Sequence, residues 1–160
     1  MNFFHWFRKK KPIDTKSITL TGNEIFNKLH NMWPSLTHGK IWFEDGKYLL
    51  PTRSELEKKL LESVVESYEY VPEIEDCGDF ALLLHGDIIR SRYDDYKAGK
   101  IPDSQLYPWA FGQIWYQDTV MGPHAINICI TSDEGILLVE PQSDEIRKAT
   151  PNMVVFFIRF

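Results

Sequence analysis

Cysteine is scarce in this chain, with only Cys77 and Cys129 among its 160 residues. Two cysteines cannot build a disulfide framework. A single Cys77–Cys129 bridge is the most they could form, and a reducing compartment is the simpler expectation. No apolar run approaches the ~20 residues that a membrane-spanning helix needs, so none is expected. Positive charge is also short. Lysine and arginine number 18 against 23 aspartates and glutamates, for a net charge of −5. That balance argues against general nucleic-acid binding, which calls for a basic surface. Repeats and low-complexity segments are absent. So is a secretory leader pattern, because the N-terminal charges follow the apolar residues and no hydrophobic region comes after them. A cytoplasmic location is the expectation.

What is present suffices for one domain with one core: 43% hydrophobic and 14% aromatic residues. Residues 1–16 read as a tail. Met1 to Phe7 is MNFFHWF, followed by Arg8, Lys9, Lys10 and Lys11. Aromatics beside a basic cluster suit peripheral contact with an anionic membrane through residues 1–11. The alternative is a solvated tail whose aromatics pack on the domain. Residues 17–160 read as that domain.

Along the domain, Thr21 and Glu24 form a capping box. Ile25, Phe26, Leu29, Met32 and Trp33 then recur at helical spacing up to Pro34. Ile41-Trp42-Phe43, Asp45-Gly46 and Tyr48-Leu49-Leu50 suggest a small hairpin. A second helix is expected from Ser54, boxed by Glu57, with Leu56, Leu60, Leu61, Val64 and Val65 on its apolar face. A third should run from Asp76-Cys77 to Arg90, apolar over most of its circumference and deep in the core. Residues 91–110 read as a polar, tyrosine-rich connection. Four strands are predicted after it: Phe111 to Gln117, His124 to Thr131, Gly135 to Glu140, and Met153 to Ile158. Helices first and a sheet afterwards means α+β.

Three residues could share one chemistry. Cys77 opens the third helix, where the helix dipole favours a thiolate, although Asp76 and Asp79 oppose it through like charge. Alone it could equally be a small apolar filler. His124 opens a strand with His124, Ile126, Ile128 and Ile130 on one face, at the rim of a sheet. It could also be a simple surface histidine. His85, inside the third helix, reads as structural. Glu140 closes the next strand. A three-residue loop of Asp133, Glu134 and Gly135 sets Ser132 opposite Ile136 and puts Glu140 on the face of His124. A two-residue turn would put it on the other face. Even the first register leaves Glu140 some residues along, so a bulge or register shift is required. In a thiol–imidazole–carboxylate set, the imidazole takes the thiol proton, the thiolate attacks an acyl carbon, and the carboxylate orients the ring. The Cys77 backbone N–H could stabilise the resulting oxyanion.

Asp76-Cys77-Gly78-Asp79-Phe80-Ala81, Gly122-Pro123-His124-Ala125-Ile126-Asn127 and Val139-Glu140-Pro141-Gln142 together resemble the papain-like protease domain attached to a fungal agglutinin. The separations of 47 and 16 residues between Cys77, His124 and Glu140 also fit it. The likeness covers about residues 48–145. It implies a papain-like α+β fold, with N-terminal helices, the nucleophile on a buried helix and a C-terminal antiparallel sheet. It implies a cysteine hydrolase, a peptidase acting on a peptide or protein substrate, with Cys77, His124 and Glu140 as the catalytic triad. It also implies calcium, for which Asp76, Asp79 and the acidic stretch before them would be candidates. Papain relatives place an oxyanion glutamine before the nucleophile. This chain has no glutamine before Gln105, and Gln142 could fill that role from the other side. Two alternatives stay open: a peptidoglycan amidase or endopeptidase, and a non-catalytic binding module that keeps the pocket.

Overall fold

The computed structural model describes residues 18–160. The tail over residues 1–16, with its expected membrane contact, lies outside the described residues. A short strand, β1 (Thr19–Thr21), leads into helix α1 (Gly22–Met32). The helix starts where expected. The Thr21 side chain accepts from the Glu24 backbone N–H, and the Glu24 carboxylate accepts in return from Thr21. It stops at Trp33, whose N–H still reaches the Leu29 carbonyl before Pro34, which has no N–H to donate, follows.

The expected hairpin at 41–50 does not form. Its halves, β2 (Ile41–Trp42) and β3 (Lys47–Leu49), join different sheets. Strand β3 pairs antiparallel with β1. Strand β2 pairs in parallel with β8 (Val154–Arg159) at the chain's end. Helix α2 (Arg53–Leu60) begins one residue earlier than predicted, with its capping box two residues earlier. Thr52 and Glu55 form its capping box, and Glu57 instead accepts an ion pair from Arg53. It ends at Leu60; Leu61 and Val64 face solvent, and a 3-10 turn at Val65–Ser67 returns Val65 to the core.

Helix α3 (Cys77–Lys97) runs seven residues past the predicted end. Residues 91–97 contain no proline or glycine, and their polar side chains are used. Buried Lys59 donates to Ser91 Oγ at 2.7 Å and pairs with the Asp95 carboxylate. The helix ends before Gly99, which takes the left-handed conformation. Nor does α3 lie deep on all sides. Phe80, Ala81, Leu84 and Ile88 are buried, whereas Leu82, Leu83 and Ile89 are exposed.

The main sheet is completed by β4 (Phe111–Asp118), β5 (Gly122–Thr131), β6 (Gly135–Glu140) and a strand the sequence pattern did not reveal, β7 (Glu145–Lys148). The order is β2-β8-β4-β5-β6-β7, antiparallel except at β2–β8. Both faces are covered. Ile114, Ile126, Ile128 and Leu138 pack with Ile25, Leu29 and Trp33 of the α1 side. Phe111, Cys129, Leu137 and Val139 pack with Leu56, Phe80, Leu84 and Ile88 of the α2–α3 side. Covering on both faces explains why β5 is buried continuously from His124 to Thr131. Each such Leu or Ile contributes roughly 1.5–3 kcal/mol. The α+β class stands. Cys77 and Cys129 are both free thiols, so no bridge forms.

Candidate functional site

The β5–β6 register settles the position of Glu140. Thr131 pairs with Gly135 and Asn127 with Val139, so the loop is Ser132-Asp133-Glu134. The expected pairing of Ser132 with Ile136 is off by two residues. A two-residue slip keeps every side chain on its face and brings Glu140 closer to His124. Gly135, at a φ of 84°, closes the loop. The result is a hydrogen bond of 3.0 Å between His124 Nε2 and Glu140 Oε2. A carboxylate only accepts, so Nε2 donates this bond and Nδ1 is left for another partner. His124 is 5% exposed. Its ring also meets Tyr116 edge-on, with centroids 5.9 Å apart. The Tyr116 hydroxyl in turn accepts from Arg147 Nη2 at 2.8 Å.

Cys77 is held by the start of α3. Asp76 is the N-cap: its Oδ1 accepts from the Gly78 N–H at 2.8 Å, while Asp79 Oδ2 accepts from the Asp76 N–H at 3.1 Å. The two acids flanking the thiol are therefore bound to backbone donors. Gly78 has a local purpose as well, since a Cβ there would come within 3.2 Å of Asp76 Oδ1. Asn127 pins α3 to the sheet. Its Nδ2 donates to Ala81 O at 2.8 Å and Gly112 O at 3.0 Å, and the residue is fully buried.

These elements converge on a cleft of about 400 Å³ lined by Tyr70, Cys77, Met121, Pro123, His124 and Gln142. Cys77, His124 and Gln142 thus share one cleft, with Glu140 behind His124. Gln142 lies in the β6–β7 turn, where Asp144 takes a φ of 54°. Burial, with a smaller push from Glu66, raises the Asp144 carboxyl to about 6. In the β4–β5 turn Asp118 accepts backbone N–H bonds from Met121 and Val120, which hold its carboxyl below the ordinary value. Sequence reasoning missed Tyr70, Met121 and Pro123. Pro123 stands beside His124 within its motif, and Tyr70 and Met121 could have been marked only as large side chains on loops near the motifs. His85 is partly buried, edge-on to Phe111, away from the cleft. Among the described residues, no three histidine, cysteine or acidic side chains converge to hold a metal. No helix among them is long and apolar enough to cross a membrane.

No family model matches the chain, and no curated protein does. Solved structures do. The chain is similar to PSL1a in its complex with E64, with a TM-score of 0.72 at 22% identity over 89% of this chain and 51% of that one. It is similar to the Polyporus squamosus lectin bound to the human-type influenza-binding epitope Neu5Acα2-6Galβ1-4GlcNAc, with a TM-score of 0.70 at 20% identity, over 89% and 49%. The chain thus spans about half the length of the solved structures it matches, and the likeness is one of fold. What stands of the resemblance is a fold shared with part of a fungal lectin chain; no protease domain is shown. The expectations of a hydrolase, a thiol protease or cysteine peptidase, a papain-like fold name, a catalytic triad and calcium are corrected. One of these structures is of a lectin whose bound partner is a glycan rather than a peptide.

Proposed function

We propose that residues 17–160 form a ligand-binding module whose site is the cleft of Cys77, His124 and Gln142. The observation that carries this is convergence. A thiol, an imidazole and an amide from three separate elements meet beside the apolar Tyr70, Met121 and Pro123. Few polar groups on an apolar wall is the composition of small-ligand sites. Sugars present both a hydroxyl edge and an apolar face, and the lectin neighbours suggest a glycan. Glu69, Glu73 and Glu75 stand in the segment leading to the cleft, which favours a neutral glycan over a sialylated one. Titration with Galβ1-4GlcNAc and with its sialylated form tests this. The neutral sugar should bind more tightly, and Gln142→Ala should weaken it about tenfold, as for one lost hydrogen bond. Binding unchanged by both Gln142→Ala and Tyr70→Ala would place the site elsewhere.

The placement of His124 favours a second reading, in which Cys77 is a nucleophile. Its proton would pass to His124 Nδ1, with the ring held through Nε2 by Glu140. The E64 complex of PSL1a supports testing it with that epoxide. The Cys77 sulfur would bond to an epoxide carbon, the C–O bond would open, and the alkoxide would take the proton back from His124. Intact mass should show one adduct, absent in Cys77→Ser and slowed in His124→Ala. No adduct on the native chain would sink the reading.

A further inference from the structure

The second half of α3 lies under an arch. Residues 98–110 leave the helix end and cross back over it to reach β4. They do not collapse onto the helix, because the arch is held at its far side. The Leu49 N–H donates to Pro108 O at 2.7 Å, and the Ala110 N–H to Leu49 O at 2.8 Å. Lys47 sits over the Tyr107 ring at 4.8 Å. Beneath remains a cavity of about 250 Å³, ringed by Tyr48, Tyr93, Tyr96, Tyr107, Trp109 and Phe111. It touches none of the residues lining the Cys77 cleft. Large apolar groups are exposed around it, with Tyr93 at 60%, Ile89 at 56% and Leu106 at 51%. Such a concentration marks a binding surface rather than a core.

Arg92 lines the same cavity. Its guanidinium stacks on Trp109 at 4.9 Å, and its Nη2 donates to Gln105 O at 3.0 Å and Tyr107 O at 3.1 Å. It pairs with no carboxylate among the described residues. Glu44, at the cavity edge, is occupied by Arg159. The acids whose charge reaches it, Glu55 and Asp95, do not bond it, and Asp95 is held by Lys59 and Lys100, so a half-buried guanidinium is left to carbonyl partners and gains from a directly bonded anion. Burial lowers its pKa to about 10.

We propose that this arch encloses a second ligand site, for a flat aromatic carboxylate whose rings enter the ring-lined cavity and whose carboxylate meets Arg92. The volume suits one or two fused rings, since about 150 Å³ accepts a benzene. It is independent of the Cys77 cleft and of any reading of it.

The test titrates the full chain with 2-naphthoate and with 2-naphthalenemethanol, followed by amide chemical shifts. Naphthoate should bind at least about tenfold more tightly than the alcohol, as one charge-assisted pair gives. Shifts should centre on Arg92 and Leu106. Arg92→Gln should abolish the preference, bringing naphthoate and the alcohol to equal affinity. Leu106→Trp, which fills the cavity and keeps Arg92, should weaken both ligands tenfold or more and decides the matter if Arg92→Gln unfolds. Equal affinities, shifts centred elsewhere, or no binding of naphthoate at 1 mM would overturn the proposal.

Discussion

The two ends of α3 face different kinds of site. At its N-terminus Asp76 and Asp79 hold backbone N–H groups and Glu140 Oε2 holds His124, while Glu140 Oε1 and Asp144 Oδ1 nearby are buried without a hydrogen-bond partner. At its C-terminal half, Arg92 has carbonyl partners and a ring but no acid. The first site is built by sheet register and a helix cap, which are set within fractions of an ångström. The second is built by an arch tied down at a few points, which leaves space. The lesson is that both ends leave polar groups in want of a partner, carboxylate oxygens at the first and a guanidinium at the second, so they call for ligands of opposite character.

The largest effect that would break the comparison is one that removes both ends together. A Cβ on Gly112 would lie 2.0 Å from the Arg159 carbonyl oxygen. Gly112→Ala should therefore split β4 from β8 and cost about 3 kcal/mol or more, the upper range of overpacking. Urea unfolding midpoints measure it. Asn127→Ala should separate the ends. It removes the two hydrogen bonds that pin α3 through Ala81 and leaves their carbonyls buried, costing about 2–3 kcal/mol. Cys77 reactivity should change in that variant, while naphthoate binding should hold within a few fold. An equal loss at both ends would show α3 to be one rigid unit.

The smallest effect concerns the rim of the first site. The Asp144 carboxyl is raised from its ordinary 3.8 to about 6, by burial first and Glu66 second. A raised carboxyl favours the folded state only while protonated. That contribution is present below pH 4 and is lost as the pH climbs through 6. Asp144→Asn tolerates the left-handed backbone. It should gain on the order of 1 kcal/mol at pH 7, allowing for partial exposure, and should flatten the stability profile between pH 4 and 6. Thermal midpoints across that range check it. An unchanged profile would mean the carboxyl is solvated.

Local chemistry made part of this fold legible. The Thr21–Glu24 box, Pro34 and the alternation from His124 to Ile130 are written in neighbouring residues, and the structure uses each as read. Cys77, His124 and Gln142, singled out from their motifs, line one cleft from the start of α3, the third position of β5 and the β6–β7 turn. The misreadings came from distant partners. Ile41-Trp42 finds β8 more than a hundred residues later rather than its neighbour β3. Residues 91–97 are helical because Lys59 waits for Ser91 and Asp95. The β5–β6 register was off by two because either loop satisfies the same face pattern, which therefore cannot choose between them. The Arg92 cavity left no trace in the pattern, since it depends on how an irregular segment arches.

The most direct test of the Cys77 cleft as the functional site is the alkylation rate of Cys77 by iodoacetamide, with and without Galβ1-4GlcNAc, using Cys129 as internal reference. Cys129 is fully buried, and burial pushes its thiol up. Cys77 should label at least about a hundredfold faster, as an accessible thiol does over a buried one. The sugar should slow that labelling in proportion to its occupancy. A Cys77 rate untouched by saturating sugar, in a chain that binds the sugar, would show that the ligand sits elsewhere and would contradict the assignment of this cleft.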